Sequence, residues 1–216
     1  MLRAAMAAAV ALIPLATTAV PAQAAETLPL GAAVNSLPLA EENRAGYQRT
    51  SFRHWNQGAN PTDGCHTRSE VLIMEAVDAP TVGPGCTLTG GRWISYYDAQ
   101  TVTSASALDI DHMVPLAEAW DSGASRWTAQ RREAYANDLG SPQSLVAVTA
   151  RSNRSKSDQD PSQWLPPNRD ALCRYASEWT TTKLRWRLAA DAQERDRLLD
   201  IAADCPGTLI TYEVAP

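Results

Sequence analysis

The sequence predicts an α+β fold, a few short strands enclosed by helices and stapled by disulfides. Three observations predict it. The segments 92–97, 108–113 and 144–149 are short, rich in aliphatic, β-branched or aromatic residues, and bounded by Gly, Pro or Ser, the pattern of strands. Beyond residue 168, Leu172, Tyr175, Ala176 and Trp179, then Leu184 and Leu188, then Leu198, Ile201 and Ala202 recur at helical spacing, which marks faces packed on a core. Four cysteines, an even number, stand in the chain of 216 residues.

Taken in order, residues 1–24 have the layout of a secretory signal peptide. Arg3 is basic, an apolar stretch runs from Ala4 to Val20, and Ala22-Gln23-Ala24 is a small-x-small cleavage site. The mature protein is then expected outside the cell, with no membrane segment. Residues 25–45 lack clear periodicity and contain Pro29 and Pro38, so a flexible arm is expected there, with a single domain over 46–216. Val71-Leu72-Ile73-Met74 fits either a helix or a buried strand. Arg92–Tyr97 and Leu108–Met113 are expected strands, and Pro115 breaks the second. Leu116–Asp121 is a short helix, and Thr128 is a good N-cap for a helix over 129–139. Ser144–Thr149 is a strand, Ser152–Asp158 begins a helix, and 168–189 and 191–203 are two more.

The formal net charge is −5, which argues against tight nucleic-acid binding driven by charge alone. It leaves room for a turnover enzyme with a local basic groove. In an exported chain four cysteines suggest disulfides. Three pairings are possible. Cys65–Cys86 and Cys173–Cys205 are favoured because each brackets one local segment, and each closed loop is worth about 3–4 kcal/mol in the chain-entropy model. Zinc-finger spacing of Cys and His is absent.

Chemistry concentrates in two segments. Asp111-His112 stands at the end of a strand in which Asp109 and Asp111 share a face and His112 takes the other. A carboxylate there can hold a hard divalent cation, and an imidazole can accept a proton near neutral pH. Alone, the pair is a weak signal. Some forty residues on, Arg151-Ser152-Asn153-Arg154-Ser155-Lys156 follows a strand. Asn153 offers a neutral oxygen ligand, and Arg151, Arg154 and Lys156 gather three cations in an acidic chain, as a phosphodiester substrate requires.

Asp-His-x-x-Pro followed by an apolar strand and Asn-Arg-x-Lys-x-Asp resembles the HNH, or His-Me finger, nucleases. The stretch 47–199 resembles exported actinobacterial HNH-family proteins related to the C-terminal domain of GmrSD-type restriction enzymes, through Gly64-Cys65-His66-Thr67-Arg68, Gly90-Gly91-Arg92-Trp93, Val114-Pro115-Leu116-Ala117-Glu118-Ala119-Trp120, Ala136-Asn137-Asp138-Leu139 and Trp164-Leu165-Pro166-Pro167. The resemblance implies a ββα-metal core made of the strands near 106–113 and 144–149 and the helix after Ser152, with an unusually long helical connection over 114–143. It implies an endonuclease acting on DNA or RNA with one Mg²⁺ or Mn²⁺, no obligate protein partner, Asp111 and Asn153 as metal ligands and His112 as general base. Arg151, Arg154, Lys156 and Arg68 are expected on substrate phosphates, and Glu70 and Asn137 are possible accessories.

Many HNH proteins use an Asn on the second strand to orient the base, and none stands near Gln143-Ser144. Asn137 or a backbone carbonyl are the substitutes. Arg68 and Glu70 fit a structural ion pair equally well. Two other function classes compete. A non-catalytic secreted module on a degenerate fold predicts nucleic-acid or cell-surface binding without cleavage. A different metal-dependent hydrolase, such as a phosphatase, predicts action on small esters only.

Overall fold

The structure, a computed structural model, describes residues 24–216. The expected signal peptide lies almost wholly outside the described residues. The regular elements are β1 (Glu26–Pro29), α1 (Leu30–Ser36), α2 (Thr67–Met74), β2 (Thr81–Val82), β3 (Leu88–Thr89), β4 (Trp93–Ser95), β5 (Gln100–Val102), β6 (Leu108–His112), α3 (Leu116–Asp121), α4 (Ala129–Ala136), β7 (Leu145–Thr149), α5 (Ala150–Lys156), α6 (Leu172–Trp186), α7 (Ala192–Ala203) and β8 (Leu209–Tyr212). The strands pair antiparallel as β1–β8, β2–β3, β4–β5 and β6–β7. This mixture of helices and small sheets, joined by the disulfides Cys65–Cys86 and Cys173–Cys205, is α+β. Among the described residues, no helix is long and apolar enough to cross a membrane.

The β6–β7 ladder is the centre of the molecule. Its register sets Asp111 opposite Val146 and His112 opposite Leu145. Apolar side chains cover both faces. Leu108, Ile110, Leu145 and Ala147 pack with Val71, Leu72 and Trp93 in a small core. Val146 and Val148 belong to the main core, with Met113, Tyr97, Tyr175 and Trp179. β7 accordingly reads as a nearly continuous apolar run, whereas β6 alternates, with Asp109 and Asp111 both turned toward α5. Val71 and Leu72 thus belong to a helix. His66 is its N-cap residue, and its side chain accepts from the Ser69 amide.

Two expectations about boundaries change. Thr128 caps α4 as expected, accepting from the Arg131 amide, but the helix stops at Ala136 rather than near 139. The Asn137 side chain is drawn instead into four bonds, accepting from Asn56 N and Thr67 Oγ1 and donating to Arg53 O and Glu133 O. Segment 25–45, expected as a flexible arm, contributes β1 and α1 to the folded body. Leu30, Ala33, Val34 and Leu37 are buried in the main core, and β1 pairs with β8 near the other end of the chain. The four residues have the i, i+3, i+4, i+7 spacing of a core-facing helix, a signal obscured by its short length and the flanking prolines.

Candidate active site

The chain builds the site where β6 ends and α5 begins. Thr149 closes β7 and caps α5, its Oγ1 accepting from the Ser152 amide at 3.2 Å, so helix and strand are joined without a loop. α5 lies against the face of β6 that carries Asp109 and Asp111. Asn153 Nδ2 donates to Asp109 Oδ2 at 3.3 Å, and Arg154 Nε stands 3.5 Å from the same oxygen.

Asp111 is buried. Its Oδ2 accepts from Tyr97 OH at 2.6 Å and from Lys156 Nζ at 2.5 Å. Among the described residues both of its hydrogen bonds fall on Oδ2, which leaves Oδ1 for a ligand. Burial raises the Asp111 carboxyl, against the opposing pull of Lys156. Burial lowers the Lys156 ammonium, against the pull of Asp111.

His112 is anchored through its other edge. Nε2 lies 3.0 Å from the carbonyl oxygen of Ala136, the last residue of α4. A carbonyl only accepts, so Nε2 carries the proton and Nδ1 keeps the lone pair. Trp55 and Tyr135 stack near-parallel to the ring, at 25° and 21°. Burial, only partly offset by the Ala136 bond, lowers the imidazole to about 3, so the ring is neutral and able to accept a proton at ordinary pH.

A cavity of about 290 Å³ is bordered by Asp111, His112 and Asn153, with Arg49, Arg154 and Asp158 among its other walls. The three residues expected to act together therefore share one cavity. A carboxylate oxygen without a hydrogen bond and an amide side chain form the hard oxygen donor set that Mg²⁺ or Mn²⁺ accepts. On that observation the residues fit such an ion. A larger cleft of about 760 Å³, lined by Trp55, Asn56, Gln57 and His66 among others, opens beside the indole that covers His112.

The remaining expectations divide. Lys156 is not available to phosphate. It is fully buried, and beyond Asp111 it donates to the carbonyls of His112 at 3.1 Å and Met113 at 2.8 Å. Arg68 lies outside the cavity and donates to the carbonyls of Leu108 and Ala105, at 2.9 and 3.3 Å. Glu70 accepts from the amides of Ala59 and Asn60, holding the 56–60 turn rather than pairing with Arg68. Arg151 faces another cavity, with Asp98 and Trp164. The Asn137 side chain bonds to Asn56, Thr67, Arg53 and Glu133, and it is the carbonyl one residue earlier that meets His112.

Sequence reasoning missed Arg49, Trp55 and Tyr97 as parts of this site, and of its two substitutes for the orienting Asn the backbone carbonyl, here that of Ala136, is the one that meets the ring. No residue type marks a carbonyl's role, since every residue has one.

The family described as GmrSD restriction endonucleases, C-terminal domain, matches residues 86–201, a span that contains β6, β7 and α5. An uncharacterized secreted protein of the fungus Arthroderma benhamiae is 40% identical over 160 residues, covering 74% of this chain and 76% of that protein. No solved structure matches the chain.

Proposed function

Because the chain belongs to the family of the C-terminal domain of GmrSD restriction endonucleases, we propose that it is a secreted, divalent-metal-dependent endonuclease of the HNH type, hydrolysing phosphodiester bonds of DNA or RNA. The observation that carries this reading is the shared cavity of Asp111, His112 and Asn153, with the His112 tautomer fixed by the Ala136 carbonyl.

Asp111 and Asn153 would hold the Mg²⁺ or Mn²⁺ ion. The bound ion supplies positive charge against the charge that develops on phosphorus and the departing oxygen. His112 takes a proton from the attacking water through Nδ1. Trp55 and Tyr135 exclude bulk water from the ring faces and hold its plane. Arg49 and Arg154, the cations at the cavity wall, bind the phosphate. Lys156 keeps Asp111 in place from behind. Action outside the cell is supported by the N-terminal leader pattern, by two disulfides, and by the printed name of the fungal relative.

The test is degradation of plasmid DNA and of single-stranded RNA with Mg²⁺ or Mn²⁺, comparing the intact chain with His112→Ala. A loss of at least about 100-fold on removing the general base is expected. Equal activity in the two proteins, or inertness of both across metals and pH, overturns the assignment. Nucleic-acid binding without cleavage in both would support a non-catalytic module instead.

A further inference from the structure

A second group of acidic side chains lies outside the β6–α5 cavity and has no part in the chemistry above. It centres on Glu42, in the irregular segment between α1 and the 49–51 turn. One oxygen each of Glu42, Asp160 and Asp191 lie within 4.8 Å of one another, and so do one oxygen each of Glu42, Glu118 and Asp121. Four carboxylates, in two sets from three other parts of the chain, thus converge on the Glu42 side chain.

Part of this network is balanced internally. Glu118 and Glu194 share the buried Lys183 Nζ, at 2.9 and 2.5 Å. Asp121 Oδ2 takes Arg44 Nε at 2.7 Å, and Asp158 lies 3.4 Å from the same guanidinium. The rest is not balanced. Among the described residues, Glu42, Asp160 and Asp191 have no basic group within ion-pair distance.

An independent observation points to a missing partner. The Asp121 side chain is 2% exposed, and its Oδ1 is buried with no hydrogen-bond partner. A buried carboxylate oxygen left unsatisfied costs on the order of 1–3 kcal/mol or more, and Asp121 is one of the residues whose carboxylates gather at Glu42. A hard cation relieves that cost.

We propose that Glu42, with Glu118, Asp121, Asp160 and Asp191 around it, forms a binding site for a divalent cation of calcium's class, separate from the catalytic cavity. Calcium accepts several carboxylate oxygens in flexible geometry, whereas magnesium demands a near-ideal octahedron and keeps its waters. The bound ion ties the irregular 38–45 segment to α3, to the turn at Asp160 and to the N-terminus of α7, which Asp191 caps. Its role is structural. The segment is also fastened to this region by the Arg44–Asp121 ion pair, by Trp120 Nε1 donating to the Ala45 carbonyl, and by backbone bonds between Ala190 and Pro38 and between Ala40 and Ala190.

The experiment is thermal unfolding of the full chain in CaCl₂ against EDTA, with calcium stoichiometry by titration calorimetry. The intact protein and Asn153→Ala, which alters only the catalytic cavity, are both expected to show a saturable rise of roughly 5–10 °C at about 100 times the Kd. Glu42→Gln is expected to abolish the rise. Asp191→Asn, which keeps a capping oxygen for α7, is expected to weaken calcium at least tenfold, and serves if Glu42→Gln does not fold. No rise in the intact protein overturns the proposal, as does an equal rise in both cluster variants. Loss of the rise in Asn153→Ala places the ion in the catalytic cavity and overturns it too. None of these readouts depends on nuclease activity.

Discussion

Lys156 shows how one buried side chain changes the meaning of a motif. In the sequence it is the third cation of a basic cluster, and its neighbours Arg151 and Arg154 are exposed. In the fold its ammonium meets three acceptors: the Asp111 carboxylate and two β6-end carbonyls. Removing it would leave a buried carboxylate without its countercharge. Lys156→Met is therefore expected to cost about 3–5 kcal/mol in urea unfolding, while Arg151→Ala stays within about 0.5 kcal/mol. The second residue-scale prediction concerns His112. A base works only when unprotonated, and burial moves this imidazole down from its ordinary value to about 3. The acidic limb of kcat/KM is thus expected well below pH 6, with no tenfold fall between pH 6.5 and 5. A break near 6.5 would show that the ring titrates as a solvated histidine. That Asp111, His112 and Asn153 come together was legible from the paired Asp-His and Asn-Arg-x-Lys segments. The duties of Lys156, Arg68 and Glu70 were not, because a charge exposed on a loop and a charge satisfied in the interior look alike in one dimension.

Elements with strong periodicity or a clear cap were found where expected: β6, β7, α3, α6 and α7 all follow their patterns to within a few residues. α1 was missed because two turns of helix beside a proline give little periodicity to count. Its contribution is large all the same. Leu30 is 2% exposed and lies in the main core. Leu30→Ala is expected to destabilise by about 2–5 kcal/mol in chemical denaturation, where a mobile arm would give a change near zero. The strand-to-helix junction at Thr149 has the same character. Its hydroxyl accepts from the Ser152 amide and donates to Asp98 Oδ2 at 2.6 Å. One side chain thus sets the direction in which α5 leaves the sheet, and so where Asn153 stands relative to Asp111.

At the scale of the whole molecule, charge and topology constrain the substrate encounter. The chain is acidic overall, and of the four cations read as phosphate ligands only Arg154 borders the cavity, joined there by Arg49. Two phosphate contacts predict that log kcat/KM falls with log salt concentration at a slope of about −2, whereas four would give about −3.5. Measurements between 50 and 200 mM NaCl separate the two. The antiparallel pairing of β1 with β8 could not be read from sequence, because it joins chain ends whose short strands carry little pattern of their own. The long 114–143 connection was legible as helices, but what it delivers was not: it returns the end of α4 to within 3.0 Å of His112. That delivery has a consequence for genetics. An alanine scan deletes side chains, so it would pass over the anchor of the His112 ring without a trace, and no single codon change removes the anchoring oxygen. Only chemistry on the main chain reaches it. Replacing the 136–137 amide with an ester would weaken that acceptor while leaving every side chain intact, exposing a dependence that mutagenesis leaves silent.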